Sequence, residues 1–149
     1  MTRVAAEGRL YRRPESVLVI VHTPAEALLL RRRQPFDFWQ SVTGTLDPGE
    51  IHADTAAREL GEETGLSEPD RLEFTGVTRT FEIDPRWRDR YAPRVTRNLE
   101  YEWRYPVPSR VSIALSHDEH SEYVWLPLDE AAKRVWSWTN REALESLLT

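Results

Sequence analysis

Four glutamates and one arginine stand close together between Gly44 and Leu66, in GTLDPGEIHADTAARELGEETGL. Glu59, Glu62 and Glu63 are spaced i, i+3 and i+4, which on a helix puts all three on one face. Like charges at that spacing cost an isolated helix about 0.2–0.5 kcal/mol per pair. No Lys or Arg follows any of them by four residues, and the adjacent Arg58 is expected to point elsewhere. A divalent cation would convert the repulsion into binding, and all-oxygen ligands select hard ions such as Mg²⁺ or Mn²⁺. Glu50 is placed to pair with Arg58 and hold the loop against the helix. Gly44 permits close backbone approach, so its carbonyl is a further candidate ligand. Taken alone, the three glutamates are better explained as an ordinary solvated acidic helix face.

A phosphate-binding loop is excluded. Gly44 and Gly49 have its glycine spacing, but Glu50 and Ile51 stand where Lys and Ser/Thr would meet the phosphates.

The elements that must position these side chains can be read from periodicity and turn chemistry. Ser16–His22 is a β-branched apolar run and reads as a buried strand, with Ala27–Leu30 as its hairpin partner. Phe38–Thr43 reads as a third strand, stopped at Gly44. The sequence Thr45-Leu46-Asp47-Pro48-Gly49 is a turn. Ala53–Thr64 is helical, with Gly65 as its stop. Arg71–Ile83 is strand-like, and the charged, proline-flanked Asp84–Pro93 reads as a loop. Asn98–Val107 alternates aromatic and polar residues, as a half-buried strand would. Tyr123–Leu126 is a short strand and Asp129–Val135 a helix. Thr139-Asn140-Arg141-Glu142 fits a capping box opening a last helix to Leu148. Strands outnumber helices in mixed order, giving one α/β domain over residues 1–149.

Composition narrows the function classes. The net charge of −5 argues against a nucleic-acid or anionic-membrane partner. No Cys is present, so thiol nucleophiles and thiolate metal sites are excluded. The longest apolar run, Val17–Val21, is far short of a membrane span, and residues 1–15 lack a signal-peptide core. A cytoplasmic protein is expected. Nothing in the sequence fixes its oligomeric state.

The complete spacing settles what the glutamates alone leave open. Gly44, five residues, Glu50, seven residues, then Arg58-Glu59-Leu60-Gly61-Glu62-Glu63-Thr64-Gly65-Leu66 resembles the Nudix box at every fixed position. Chance agreement is on the order of 10⁻⁸ per starting position at average composition. The resemblance implies a Nudix-type α/β/α sandwich with a mixed β-sheet and metal-dependent hydrolysis of a nucleoside diphosphate linked to another group. It implies that Glu59, Glu62 and Glu63 hold the metal, that the Gly44 carbonyl assists and that Glu50 supports Arg58. Glu119, before the predicted strand at Tyr123, is a further implied metal ligand. Either Glu59 or Glu119 is the base. His117 and His120, flanking Glu119, read as surface residues.

FWQSVTG (Phe38–Gly44), RYAPRVTRNLE (Arg90–Glu100) and WTNREALE (Trp138–Glu145) resemble one branch of that family, the bacterial dihydroneopterin triphosphate diphosphatases of folate synthesis. The branch releases pyrophosphate and leaves the monophosphate. Its substrate needs arginines for the triphosphate, with Arg31, Arg32, Arg90 and Arg97 as candidates. Trp39, Tyr91 and Trp138 are candidates to stack on the pterin, and Gln40, Ser41, Thr43 and Asn98 to read its edge, with Trp39 and Asn98 preferred. The alternatives are a nucleotide-cleansing diphosphatase acting on dATP or oxidised nucleotides, and a non-catalytic nucleotide-binding domain. The intact glutamates weigh against the second. TLDPGE carries Pro48 where relatives are commonly acidic, and RRRQPFDFWQ carries an extra Arg and Phe. These departures bear on substrate selection, not on the chemistry.

Overall fold

The computed structural model describes residues 11–148. Residues 1–10, which hold most of the segment read for a signal peptide, lie outside the described residues. A single mixed sheet of seven strands forms the middle layer. Its central strand is β1 (Glu15–His22), whose apolar run is buried on both faces. Val17, Val19 and Val21 face one way and pack with Ala56 and Leu60 of α1 (His52–Thr64). Leu18 and Ile20 face the other way. They pack with Ala131 and Ala132 of α2 (Leu128–Arg134) and Ala143 and Leu144 of α3 (Trp138–Glu145). Helices therefore cover both faces, which is the α/β/α sandwich expected.

The sheet opens where the site lies. β1 and β2 (Glu26–Arg32) form the expected hairpin, but the register joins them only at His22 and Ala27. Beyond the turn they diverge. The next segment crosses between them: β3 (Phe38–Gln40) pairs with β2, and β4 (Val42–Thr45) pairs with β1. The run expected as one strand to Thr43 is thus two, interrupted at Ser41 and continuing past Gly44 to Thr45. The break is pinned by Asn140 of α3. Its Oδ1 accepts from the Ser41 amide at 2.9 Å, and its Nδ2 donates to the Ser41 hydroxyl at 2.9 Å.

On the other side β1 runs parallel to β6 (Arg97–Pro106) along its full length, and β5 (Glu73–Glu82) pairs with β6 at the edge. β7 (Glu122–Pro127) pairs with β2. Because β6 is covered on both faces, its alternation differs from the expected half-buried strand. Trp103 and Tyr105 are buried on one face, and the polar Asn98, Glu100 and Glu102 are buried as well.

Two local readings are corrected. Residues 84–93 contain a 3₁₀ turn (Pro85–Arg90), capped where the Asp84 carboxylate accepts from the Arg86 amide at 2.9 Å. The capping box at Thr139 does not form. The helix already begins at Trp138 with Ser137 as its N-cap, so Thr139 and Asn140 lie inside the first turn and are buried. Among the described residues, no helix is long and apolar enough to cross a membrane.

Candidate active site

The turn after β4 and the start of α1 are tied together through Arg58. Its Nε and Nη2 donate to the two oxygens of Glu50, each at 2.9 Å, in a bidentate fork. Nη2 also donates to the Thr45 carbonyl at 3.1 Å. Glu50 Oε1 further accepts from the Asp47 amide at 2.9 Å and the Thr55 hydroxyl at 2.7 Å. The Arg58 hydrogen bond, helped by these donors, holds the Glu50 carboxyl down at about 2. The expected Glu50–Arg58 pair is therefore present.

Arg58 does not point away from the other carboxylates. Its Nη1 donates to Glu59 at 2.7 Å and lies 3.4 Å from Glu62 Oε2, and Asp47 is 3.4 Å from Nη2. The guanidinium sits in the middle of the acidic group, so Asp47 is more than a turn residue.

The three helix glutamates do not share one environment. Glu59 and Glu63 are buried, whereas the Glu62 side chain is 58% exposed beside Arg58. Among the described residues, both oxygens of Glu63 are buried without a well-formed hydrogen bond, and only the Thr43 backbone opposes the rise of its carboxyl. Burial pushes its carboxyl well above the usual range, and Glu59 and Glu119 add to that. Burial also raises Glu59, with the Arg58 charge opposing. Without a cation, two facing carboxylates in this position must share a proton.

Gly44 lies directly against this pair. A Cβ built there would overlap the Glu59 carboxylate, so the position requires glycine. At the far end of α1, Gly65 takes φ 77°, and its amide closes the helix onto the Gly61 carbonyl at 2.9 Å.

Glu119 and His120 approach from the loop before β7. Ligand atoms of Glu63, Glu119 and His120 all lie within 4.8 Å of one another. His120 is not a surface residue. It is buried, with Nε2 at 3.1 Å from Gln40 Nε2 and 3.8 Å from Glu63 Oε1. Burial, with Arg32 adding, pushes the imidazole down to about 4, so it is neutral near pH 7. His117 is exposed. The donor set fits a divalent cation on the chain's own evidence. The two under-paired oxygens of Glu63 lie beside Glu59 and Glu119, and a cation would relieve the crowding of these carboxylates without a shared proton.

A cavity of about 680 Å³ opens beside this cluster, between the diverging β1 and β2. Gly44, Glu59 and Glu119 form one wall. Phe38, Trp87, Trp136 and Trp138 contribute rings elsewhere in the lining. Three of those rings pack together, with Phe38–Trp136 at 5.6 Å and Trp87–Trp136 at 5.7 Å between centroids.

Of the residues expected to touch substrate, Gln40, Thr43, Tyr91, Trp138, Asn98 and Arg32 line this cavity. Arg31, Trp39, Arg90, Arg97 and Ser41 do not. Strand alternation is the reason for the first two. Phe38 and Gln40 point into the cavity, so Trp39 between them points away. It packs among the residues under α2 and bridges Val135. Arg31 pairs with Trp39 in register and is engaged by Asp37 at 2.6 Å and Glu122 at 3.2 Å. Arg90 and Arg97 are exposed. Two residues that the sequence reading missed, Arg12 and Glu100, also line the cavity. Glu100 was detectable as the second member of the Asn98/Glu100/Glu102 polar alternation, had β6 been recognised as covered on both faces.

Comparison with known proteins agrees with this geometry. Residues 12–147 match the NUDIX domain. The dihydroneopterin triphosphate diphosphatase of Escherichia coli K12 is 39% identical over 147 residues, covering 95% of this chain and 97% of that protein. The protein of the same name from Haemophilus influenzae is 36% identical, covering 93% and 89%. The solved structure of the E. coli dihydroneopterin triphosphate pyrophosphohydrolase superposes with a TM-score of 0.83 at 39% identity, covering 91% of this chain and 95% of that one. Similarity this extensive in sequence and in fold means that the chain belongs to the Nudix hydrolase family.

Proposed function

We propose that this protein hydrolyses dihydroneopterin triphosphate to the monophosphate and pyrophosphate, with Mg²⁺ or Mn²⁺. One observation carries the reading beyond family membership: a single cavity joins the acidic cluster to a set of packed aromatic rings. The E. coli relative, similar along nearly the whole chain, bears the name of this activity.

Glu59, Glu63 and Glu119 would hold the cation, with the Gly44 carbonyl beside them and the exposed Glu62 in a peripheral role. The bound cation supplies charge neutralisation at the phosphates and a lowered pKa for attacking water. Arg58 and Glu50 keep the Glu59 carboxylate in place. Arg32 and Arg12 supply positive charge for the polyphosphate. Burial lowers the Arg32 guanidinium, Arg90 and Arg12 push the same way, and Glu119 opposes them. Arginines pressed together in this way favour an anionic ligand. Glu119 is the favoured base, because it is exposed at the cavity, whereas Glu59 is buried and held by Arg58.

The test is incubation with dihydroneopterin triphosphate and Mg²⁺, following both products. Pyrophosphate and monophosphate in equal amounts are expected. No pyrophosphate at micromolar enzyme overturns the reading. A nucleoside triphosphate panel, including dATP, ranks the pterin against the nucleotide alternative by kcat/KM.

A further inference from the structure

Among the described residues, the floor of the cavity holds two acceptors with nothing to accept. Asn98 and Glu100 are two residues apart on β6 and therefore share a face. They are 1% and 6% exposed. Asn98 Nδ2 donates to the Ser16 hydroxyl at 2.8 Å, which leaves its Oδ1 without a partner. Glu100 accepts from the Thr139 hydroxyl, yet its Oε1 is also unpartnered. Buried polar atoms of this kind are uncommon, and a neighbouring pair of the same sense is more so. Burial pushes the Glu100 carboxyl up to about 7, which marks an anion with too few donors.

The missing partner must bring donors. It must bring two of them, one for each acceptor, on a ring thin enough for a cavity lined by Phe38, Trp87, Trp136 and Trp138. A 2-amino-4-oxo pyrimidine ring has this edge: the exocyclic amine and the adjacent ring N–H both donate. An adenine edge pairs one donor with one acceptor, which would set a lone pair against Asn98 or Glu100 and leave an acceptor unmet. We propose that Asn98 Oδ1 and Glu100 Oε1 are the specificity determinants of this enzyme, accepting from the 2-amino group and neighbouring ring N–H of the substrate. The inference rests on the pterin reading above and names the atoms that enforce it. Neither residue belongs to the acidic cluster that would meet the phosphates, so their effect is expected on binding of the ring.

The test compares dihydroneopterin triphosphate with its 2-deamino analogue, whose phosphates are identical. Wild-type enzyme is expected to show KM at least about tenfold higher for the analogue, with kcat within about threefold. Glu100→Gln, which keeps size and loses the anion, is expected to raise KM for the parent compound about tenfold. It should raise KM for the analogue less, so the preference shrinks. Equal KM for the two substrates on wild-type enzyme overturns the assignment even if the variant fails to fold. A folded Glu100→Gln that keeps the preference also overturns it. If wild-type enzyme releases no pyrophosphate from the parent compound, the functional reading fails and this inference goes with it. Release from both compounds without preference leaves the functional reading standing and removes only the edge assignment.

Discussion

Glu50, held behind the cavity wall by Arg58, and Glu100, in the cavity lining, are two carboxylates whose surroundings push them in opposite directions. Glu50 meets an arginine fork, an amide and a hydroxyl, and its carboxyl is held down at about 2. Glu100 meets one hydroxyl in a buried setting and is pushed up to about 7. The first is complete within the protein and serves as structure. The second is incomplete, as are Glu63 with two orphaned oxygens and Asn98 with one. On the proposed reading the satisfied carboxylate positions the site, and the unsatisfied ones receive a ligand, a cation at Glu63 and a ring at Glu100.

The hardest test of that contrast is Glu63→Gln. If Glu63 awaits a cation, the change should lower kcat by about 10³ or more while thermal stability holds or rises, because it removes an under-paired carboxylate crowded by Glu59. Pyrophosphate release and a melting curve on the same sample measure both. Activity within tenfold of wild type would mean that the metal site is misassigned. Chelation of divalent ions by EDTA should abolish turnover in wild type, with recovery on adding Mg²⁺.

Arg58→Ala tests the satisfied side. It strips Glu50 and Glu59 of their common partner, so stability and rate should fall together. A loss of about 2 kcal/mol is expected, seen as a drop in melting temperature of about 5 °C. The rate should fall about tenfold to a hundredfold as Glu59 loses its orientation. A rate loss with unchanged stability would make Arg58 a substrate contact and not a support.

How much of this could be read from the sequence follows the same division. The Glu50–Arg58 pair, the helix carrying Glu59 and Glu63, and the close approach at Gly44 depend on local spacing, and local spacing is visible in a chain. The position of Trp39 depends on which face of β3 meets the cavity. That is fixed by the break at Ser41, and the break is held by Asn140 from far along the chain. Glu100 depends on β6 being covered on both faces. His120 read as a surface residue because nothing near it in sequence signals that Gln40 and Glu63 close over it. Glu62 was grouped with its neighbours by helix geometry, but tertiary packing separated them.

The pH dependence of stability should display the two carboxylates as opposing slopes. Glu50 has a lowered folded pKa, so its contribution is present above about pH 4.5 and is lost as pH falls toward 2. Glu100 has a raised folded pKa, so its contribution is fully present below about pH 4.5 and is lost as pH rises through about 7. Glu100→Gln should therefore stabilise the protein at pH 8, by on the order of 1–3 kcal/mol, and add little at pH 4. Glu50→Gln should flatten the acid limb. Urea midpoints across pH 4–8 measure the first effect, and acid unfolding measures the second. A Glu100→Gln variant that is less stable at pH 8 would show that its partner is already inside the protein.

The smallest expected effect belongs to Trp39→Phe. Trp39 was the strongest aromatic candidate by motif, but alternation along β3 turns it away from Phe38 and Gln40. Its ring lies under α2 with the guanidinium carbons of Arg31 and Arg134 at 5.8 and 6.0 Å from its centroid. Phenylalanine keeps most of the apolar contact and a weaker cation–π face, so about 1 kcal/mol of stability is at stake. Both KM and kcat for dihydroneopterin triphosphate should stay within twofold, measured alongside Trp136→Ala, which removes a ring that does line the cavity and should raise KM several-fold. A tenfold rise in KM for Trp39→Phe would place the substrate ring against the face of β3 that Trp39 occupies, and the assignment of the ring to the cavity lined by Phe38, Gln40 and Trp136 would then have to be abandoned with it.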